Sequence, residues 1–523
     1  VVNAASPVIN NSPINLGNVR QNSATPTAFV SVTNQSTAAP QAALNATIAG
    51  NGAITGAGSF NLLLAGSTNN SSLQVGMNTA SAGLKNGTAT LGFVSDASNI
   101  GNCSPNCQMT LSSQDVQVNG AVFRVANPIL TGSPVALAGR VGDVKSANLS
   151  VTNASPDIYT EALNASFAGG APAGFTTTGS ITGLAAAGSN NTALKVGLNT
   201  TSAGSFSGSA KVNLTSSGVG TTGATDFALT QGTVAVSGNV YTAAIAQVNP
   251  LNVNFGTVHV GDVIGAQNVS VKNAAAVTAL NDVLTGSITG GNSTFTVAGT
   301  LGAGVAAGAT SNALSVTMKT NAAGAFNSQA NVNLASHDAE LSDLDLGSTS
   351  VALNGTVNNY AVAKILKSSG FGLFSSVIGG YKLDFGDVQQ GTAGILAAFG
   401  VQNDVTGPAD VLGGDFTLGT GAAFSLSGFN AFSNLGAGSI FAGLGVSLNT
   451  GVLGQFTRIV TLRSAGSNSS GYNGALADIT LTLSGNITSV PVDPPTSTVP
   501  EPSSVALIAF GLAAVMFARK RTR

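Results

Sequence analysis

The sequence predicts an all-β protein that consists of four tandem β-sandwich repeats of about 120 residues, followed by a Pro-rich linker and a C-terminal transmembrane helix. Three observations predict this fold class. The composition is typical of strands and turns, a set of short motifs recurs four times, and apolar and polar residues alternate between Gly-rich turns.

The composition is rich in turn-forming residues and poor in charge. Charged residues make up 7% of the 523 residues, 67 are Gly, and Trp is absent. The hydrophobic fraction of 43% argues against a disordered chain. The net charge is −2, and four of the 18 Lys and Arg residues lie in the last five positions. Because no concentrated basic face is available, we expect no nucleic-acid partner.

Three short landmarks recur in the same order along the chain. The first is an apolar strand that ends in Asn, at Asn34, Asn153, Asn273 and Asn403. The second is a Thr- or Asn-rich turn that closes on Gly, at Gly83, Gly204, Gly324 and Gly454. The third is a strand with a late Gly, at Gly120, Gly238, Gly355 and Gly485. Since all three keep one period, we predict homologous repeats at 1–126, 127–247, 248–363 and 364–488, the last about ten residues longer.

Within each repeat the strands alternate with a period of two. In the stretch NVSVK, for example, Val269 and Val271 fall on one face and their polar neighbours on the other. Gly-rich runs such as AGGAPAG separate these strands and indicate turns. Several short strands per repeat favour a two-sheet sandwich. A right-handed β-helix is the alternative, but its coils would repeat every 20–30 residues or so, and only the longer period is present.

The third and fourth repeats open with NFGTVHVGD and DFGDVQQGT, each followed by the strand that ends in Asn. The first two repeats keep parts of this pattern, in INLGNVRQN and LAGRVGDV. The arrangement resembles the repeats of bacterial "choice-of-anchor D" surface proteins, which are similar to the domains named after abnormal spindle protein and hydin. The resemblance implies Ig-like β-sandwiches and a scaffold or surface role, and it brings no catalytic residues.

The C-terminal region divides into a linker at 489–502 and an apolar segment with a basic tail at 503–523. The linker contains five prolines and is expected to be extended. The apolar segment is apolar all round, so we predict a transmembrane helix with the residues Val505, Leu507, Ile508, Phe510, Leu512, Val515, Met516 and Phe517. Its 16 uncharged positions are short for a bilayer, which leaves a buried helix or a disordered tail as the alternative.

Four basic residues follow the apolar segment at once: Arg519, Lys520, Arg521 and Arg523. Such a cluster resists translocation, so it predicts that the tail stays cytoplasmic and that residues 1–502 lie across the membrane. The order of Pro500-Glu501-Pro502, apolar helix and basic cluster resembles the PEP-CTERM sorting signal of exopolysaccharide-producing Gram-negative bacteria. The resemblance implies an exosortase as partner and the Pro-Glu-Pro triplet as its recognition element. It further implies an inner-membrane precursor that later reaches the cell surface or the extracellular matrix.

Only two cysteines are present, Cys103 and Cys107, separated by a Ser-Pro-Asn turn. They are too few for a metal site and too close in sequence for a large loop, so a small disulfide is predicted, with two free thiols as the alternative. A disulfide would fit an oxidising compartment. The chain begins VVNAASPV, which indicates that a secretory signal has been removed or that the start is missing.

No residues form a recognisable catalytic or metal site. His259 lies on a predicted strand, where a solvated or hydrogen-bonded role is expected. His337 lies in the most acidic stretch, whose candidate Ca²⁺ ligands are Asp338, Glu340, Asp343 and Asp345. Their spacing lacks the Asp-x-Asp-x-Asp-Gly pattern, and a solvated acidic loop is the alternative. We therefore predict no metal and no cofactor.

The sequence predicts a non-enzymatic, exported structural protein of the cell surface or of an exopolysaccharide biofilm matrix. Exopolysaccharide is a possible partner, since a Ser/Thr/Asn-rich surface favours many weak hydrogen bonds. A surface adhesin or an array of carbohydrate-binding modules is the alternative, although stacking on sugars needs clustered aromatic residues and these make up 5% of the chain. An enzyme with an undetected site is a third hypothesis, but no Ser/His/Asp triad or phosphate loop supports it.

Overall fold

The computed structural model describes residues 1–101 and 103–491, and its regular structure consists of strands. The all-β prediction is confirmed: the described residues form forty strands, arranged in eight sheets, and no α-helix. The chain divides into two compact units. The first contains Val1–Val253, Ala266–Thr317 and Gln329–Ala352, and the second contains Asn254–Gly265, Met318–Ser328 and the residues from Leu353 onward. The predicted repeat boundaries stay a prediction.

The first repeat shows the arrangement that the later ones share. Its strands are β1 (Pro7–Ile9), β2 (Ile14–Arg20), β3 (Thr27–Asn34), β4 (Ala43–Gly50), β5 (Ile54–Ala57), β6 (Ser59–Leu63), β7 (Thr68–Met77), β8 (Gly83–Leu84), β9 (Gly87–Asp96), β10 (Gln108–Thr110) and β11 (Gln114–Phe123). One sheet has the order β1-β3-β7-β5 and the other β2-β11-β9-β4-β6. The pair β2 and β11 is parallel, whereas β3 and β7, like β4 and β9, are antiparallel.

The second repeat has the same two sheets. Its strands are β12 (Pro128–Thr131), β13 (Val135–Arg140), β14 (Lys145–Asn153), β15 (Ala162–Ala168), β16 (Phe175–Thr178), β17 (Ser180–Leu184), β18 (Ser189–Leu198), β19 (Gly204–Ser217), β20 (Phe227–Ala228) and β21 (Gly232–Tyr241). The sheet orders are β12-β14-β18-β16 and β13-β21-β19-β15-β17. Again the second strand, β13, runs parallel to the last strand, β21.

The third repeat has eight strands, and its residues belong to both compact units. The strands are β22 (Ala246–Asn249), β23 (Asn252–His259), β24 (Gln267–Asn273), β25 (Val283–Gly290), β26 (Phe295–Ala298), β27 (Thr310–Met318), β28 (Gly324–Asp338) and β29 (Leu341–Asn358). The sheet orders are β22-β24-β27-β26 and β23-β29-β28-β25.

The fourth repeat adds one strand to the edge of its second sheet. Its strands are β30 (Ala363–Gly370), β31 (Leu373–Val377), β32 (Gly380–Gln389), β33 (Leu396–Asn403), β34 (Val411–Leu418), β35 (Phe424–Ser427), β36 (Phe432–Leu435), β37 (Ile440–Leu448), β38 (Gly454–Ser467), β39 (Asn473–Ala475) and β40 (Ile479–Thr488). The sheet orders are β30-β33-β37-β35 and β31-β32-β40-β38-β34-β36. The ten extra residues predicted for this repeat are thus accounted for by the β31–β32 hairpin.

The apolar side chains of the alternating strands form the cores. On β24, Val269 and Val271 are fully buried while Asn268 and Lys272 are exposed, as the period of two predicts. In the second repeat, Leu149 of one sheet and Val212 of the other belong to one hydrophobic cluster. Each fully buried Leu or Val side chain contributes about 1.5–3 kcal/mol relative to exposure. The sandwich therefore depends on apolar burial between the sheets.

The recurring late Gly has a steric explanation. A Cβ atom added to Gly120 would lie 2.5 Å from Sδ of Met77, and one added to Gly238 would lie 2.5 Å from Cδ1 of Leu198. Gly355 faces Met318 in the same way. A large core side chain at the end of the facing sheet therefore occupies the space of a side chain at this position.

The recurring Asn is the buried polar centre of each repeat. Asn153 is fully buried, and its Nδ2 donates hydrogen bonds to the backbone oxygens of Glu161 (3.1 Å) and Leu184 (3.2 Å). Its Oδ1 accepts from the backbone N–H of Asn127 at 3.0 Å. The same three types of contact are made by Asn34, Asn273 and Asn403. In the second repeat, one amide thus joins the residue before β12, the residue before β15 and the last residue of β17.

We expect Asn153→Ala to destabilise the second repeat by about 2–4 kcal/mol, because two buried carbonyls and one N–H would lose their partner. Hydrogen–deuterium exchange of the intact chain, read on peptides of residues 127–247, measures the effect. Asn148→Ala is the matched control, since Asn148 is exposed on the same strand. Equal exchange in the two variants would contradict this role.

Candidate functional site at the repeat junctions

The charged residues that the fold buries are concentrated where one repeat meets the next. Three pairs, which we call the junction pairs, are Arg20–Glu161, Arg140–Asp282 and His259–Asp410. The nitrogen-bearing member of each pair is the last residue of the second strand of a repeat, as Arg20 is of β2. The acid directly precedes a strand of the following repeat, as Glu161 precedes β15. All three acids are fully buried.

The first junction pair is a two-point ion pair with a complete set of partners. Nε of Arg20 lies 2.9 Å from both carboxylate oxygens of Glu161, and Nη2 lies 2.8 Å from Oε2. The hydroxyls of Ser216 and Thr222 donate to the same carboxylate at 2.7 and 2.6 Å. The guanidinium also lies 5.7 Å from the ring centre of Phe227. A buried charge is tolerated when every lone pair is matched in this way.

The second junction pair uses the shorter Asp. Nε of Arg140 donates to Oδ2 of Asp282 at 2.5 Å, and the Ser336 hydroxyl donates to the same oxygen at 2.7 Å. The other two guanidinium nitrogens donate to the backbone oxygens of Ser342 (3.0 Å) and Ser336 (3.2 Å). In the described residues, Oδ1 of Asp282 has no hydrogen-bond partner. The shorter side chain thus forms a one-point contact where Glu161 forms a two-point contact.

The third junction pair replaces Arg by His. Nε2 of His259 lies 2.7 Å from Oδ2 of Asp410, whose other oxygen accepts from Asn358 (3.1 Å) and Asn468 (2.9 Å). The imidazole is stacked on Tyr360, with ring centres 4.1 Å apart and planes 7° apart. His259 is buried, so of the two roles expected for it the structure has the hydrogen-bonded one.

A Ser and a Gly mark the difference between these junctions. In the second and third repeats, Ser216 and Ser336 lie opposite the buried Leu that comes two residues after the junction acid. In the fourth repeat, Gly466 takes this position. A Cβ at Gly466 would lie 3.2 Å from Cβ of Ala361 and 3.5 Å from Oδ2 of Asp410. The amides of Asn358 and Asn468 take over the hydroxyl's role at this junction.

The corresponding positions at the two ends of the series are neutral. Ala42 precedes β4 of the first repeat, where later repeats have an acid. Gln389 ends β32 of the fourth repeat, where earlier repeats have Arg or His. Among the described residues, the first and fourth repeats therefore each contribute to one junction pair, whereas the second and third each contribute to two.

The junction pairs can hold repeats together but have no geometry for catalysis. Their carboxylates are fully buried and already accept hydrogen bonds from neighbouring side chains. A substrate could reach such a group only by displacing those partners. Within residues 1–101 and 103–491, no group of three His, Cys, Asp or Glu side chains is arranged to hold a metal ion.

The four candidate Ca²⁺ ligands do not converge. Asp343 lies 2.6 Å from His337, and Glu340 accepts from Asn239. Asp338 and Asp345 each accept from a backbone N–H two residues along. Burial, together with the nearby Glu340 and Asp338, raises the pKa of Tyr241 to about 12. Each carboxylate thus serves a separate local contact.

The two cysteines lie in a short loop of the first repeat. The structure joins Cys103 and Cys107 by a disulfide with their Cα atoms 5.0 Å apart. Asp96, at the end of β9, accepts hydrogen bonds from Asn45 (2.8 Å) and Gln108 (2.6 Å), and so ties the strand after this loop to β4. Hydrogen bonds from the Ser98 side chain and backbone hold the pKa of Asp96 well below its ordinary value of 3.8.

The residues of the predicted sorting signal lie outside the described residues. These are the Pro-Glu-Pro triplet, the eight apolar residues of the transmembrane prediction and the four basic residues. The described part of the chain contains no helix with the length and apolar character required to cross a bilayer.

Sequence reasoning missed the junction pairs. A signal was present: Glu161, Asp282 and Asp410 all follow the recurring Asn of their own repeat by seven to nine residues. In a chain with 7% charged residues, an acid that recurs at one place in three of four repeats is informative. The identity of its partner, more than 130 residues away in sequence, was not readable from the pattern.

Comparison with known proteins identifies the C-terminal signal. Residues 498–521 match the PEP-CTERM protein-sorting motif. The motif implies an exported surface protein that is sorted by an exosortase and processed at the membrane. No curated protein matches the chain.

Several solved structures match the chain over most of its length. The extracellular cadherin domains 1–5 of protocadherin gamma B2 match with 10% identity and a TM-score of 0.36, over 94% of this chain and 82% of that one. The ectodomain of human desmocollin-1 matches with 9% identity and a TM-score of 0.27, over 94% and 81%. Domains 4–9 of the surface layer protein SbsC match with 11% identity and a TM-score of 0.16, over 91% and 65%. At these scores the fold assignment depends on the strands and sheets described above.

A double-mutant cycle tests the second junction pair. We expect a coupling energy above about 2 kcal/mol between Arg140→Ala and Asp282→Ala, because each single change leaves a buried charge unpaired. The exposed pair Lys364–Asp404, 2.9 Å apart, is the control and should couple by less than about 1 kcal/mol. Urea unfolding of the intact chain gives both values, and similar coupling in the two pairs would refute the assignment.

Asp96 predicts an acid-sensitive first repeat. A carboxylate whose folded pKa is depressed stabilises fully above its unfolded value, and this contribution is lost as pH falls below 3.8 toward the folded pKa. We expect Asp96→Asn to lower the melting temperature at pH 6. The difference in melting temperature between the variant and the unmodified chain should become smaller as the pH falls from 4 to 2. Asp115→Asn, on an exposed strand position of the same repeat, serves as control. A gap that does not change with pH would contradict the prediction.

Proposed function

We propose that the chain is a non-enzymatic structural protein of the cell surface or of an exopolysaccharide matrix, delivered there by an exosortase that acts on its C-terminal signal. The observation that carries the proposal is the PEP-CTERM match at 498–521, placed directly after a series of four sandwich repeats. In this proposal the inner membrane holds the precursor and the repeats form the exported part. The resemblance to choice-of-anchor D repeats belongs to the same proposal.

The junction pairs support a structural role. Each joins a strand end of one repeat to a buried acid of the next, so the connection between repeats is a buried hydrogen-bonded contact, with an ion pair in the two Arg junctions, as well as a covalent link. Fixed junctions between domains suit a scaffold, whereas an enzyme that closes on its substrate needs a mobile junction.

The alternative, an adhesin or an array of carbohydrate-binding modules, lacks aromatic platforms. The chain has five Tyr and no Trp. Tyr159 packs on Phe123, Tyr381 stacks on Phe374, and Tyr241 is buried. Tyr360 and Tyr472 flank His259 at the third junction. Tyr360 is 43% exposed, although one face of its ring is covered by His259, and the other four rings make internal contacts. This shortage of free aromatic rings favours the scaffold.

Neutralising the basic cluster tests the proposal in the native host. We expect the variant with Arg519, Lys520 and Arg521 changed to Gln to miss the surface and matrix fraction, because the stop to translocation is lost. The unmodified chain should appear in that fraction with its last residues removed, as mass spectrometry of the C-terminal peptide would show.

A matched control removes the same charge from the repeats: Lys195, Lys211 and Lys272 are exposed strand residues and can be changed to Gln together. This control variant should be sorted normally. Surface material that retains the Arg-Thr-Arg ending, or normal sorting of the C-terminal variant, would refute the sorting mechanism.

A further inference from the structure

The hairpin of β31 and β32 makes the fourth repeat different from the others. Leu373 of β31 pairs with Asp384, and Val377 pairs with Gly380, so Ile378 and Gly379 form a two-residue turn. In the first three repeats the corresponding sheet starts with β2, β13 or β23. In the fourth, β31 lies outside β32 and is the terminal strand of its sheet among the described residues.

This edge strand is exposed and carries apolar side chains but no charge of its own, whereas Lys382 and Asp384 of the neighbouring β32 lie opposite Ser375 and Leu373. The exposed fractions are 58% for Phe371, 74% for Leu373 and 46% for Val377, and Ile378 at the turn is fully exposed. No charged residue occurs between Lys367 and Lys382. Proteins normally protect an edge strand with charges, Pro or a covering element, because an open apolar edge pairs with other strands. β31 itself contains no charged residue and no Pro, and the Lys367 side chain reaches only its start, where Nζ donates to the backbone oxygen of Gly372 at 2.9 Å.

The pairing with β32 determines which backbone groups point outward. In a hairpin with a two-residue turn, the residues that flank the turn form a hydrogen-bonded pair, so Val377, Ser375 and Leu373 direct their N–H and C=O groups toward β32. The N–H and C=O groups of Phe374 and Ser376 therefore point to the outer edge. These outward N–H donors and C=O acceptors have the spacing that pairing with one more antiparallel strand requires.

The strand is complementary to itself. If a second β31 runs antiparallel with the two Ser375 residues opposite each other, Phe374 and Ser376 of one copy face Ser376 and Phe374 of the other. On the outward face Leu373 then lies opposite Val377, which forms two apolar pairs. Phe371 of each copy falls beside the turn of the other, where Ile378 is exposed.

We propose that β31 is a self-association edge, at which two copies of this chain join antiparallel about Ser375 into one continuous sheet. A second copy is the occupant because the strand supplies its own apolar and hydrogen-bonding complement in a two-fold arrangement. The inference depends on the sheet edge alone and stands whether or not the sorting proposal holds.

Ser375→Cys tests the arrangement directly. Opposite residues of a non-hydrogen-bonded antiparallel pair have Cα atoms about 4.5 Å apart, which a disulfide can bridge. The purified full-length variant should form a disulfide-linked dimer under mild oxidation several-fold faster than Ser425→Cys. Ser425 is also exposed and lies on β35, the terminal strand of the other sheet in the same repeat.

Ser375→Lys supplies the converse measurement without disturbing the core, since Ser375 is exposed. Two like charges would face each other at the two-fold axis, so the dimer dissociation constant from analytical ultracentrifugation should rise by about fivefold or more. Ser425→Lys should leave it unchanged. Equal cross-linking rates of the two Cys variants, or a dissociation constant that Ser375→Lys leaves unchanged, would overturn the proposal.

Discussion

A single buried amide organises each repeat. The recurring Asn, such as Asn153 at the end of β14, satisfies two carbonyls and one N–H. Three separate chain segments would otherwise bury these groups without partners. Apolar burial between two sheets is non-directional, so it can drive collapse without setting the path of the loops. The amide supplies that direction. One of the two carbonyls it fixes belongs to the junction acid, as Asn153 holds the backbone of Glu161, so the repeat junctions depend on it too.

The three junction pairs solve one problem with different side chains. Glu161 is long enough to meet both sides of a guanidinium, Asp282 reaches one nitrogen, and Asp410 meets an imidazole held between aromatic rings. Hydroxyls or amides donate the remaining hydrogen bonds to each carboxylate. The junction that uses amides has Gly466 where the Arg junctions have a Ser, and a Cβ there would lie close to Ala361 and Asp410. The residue type at each junction position can therefore vary, as long as the charge of the buried carboxylate is compensated by its partners.

The fold was predictable from the sequence to a large extent, because the recurring Asn and Gly are the residues that the fold constrains most. Their period revealed the repeats, and the alternation around Val269 revealed the strands. The junction pairs were not predictable, since each depends on contacts between charges far apart in the chain. The apolar hairpin was visible only as ten extra residues. The sorting signal was predictable because it is a local pattern, and the comparison confirms the motif at 498–521.

The neutral residues Ala42 and Gln389 determine which repeats can be duplicated without loss of a junction pair. Unequal recombination that inserts an extra copy of the second or third repeat adds both an acid and an Arg or His, so each buried acid again faces a nitrogen-bearing side chain. An extra copy of the first repeat would set Ala42 against the half-buried Arg20, and an extra copy of the fourth would offer Gln389 to Asp410. Duplication of a middle repeat therefore preserves the pairing, whereas duplication of the first or fourth repeat leaves one charged group without its partner.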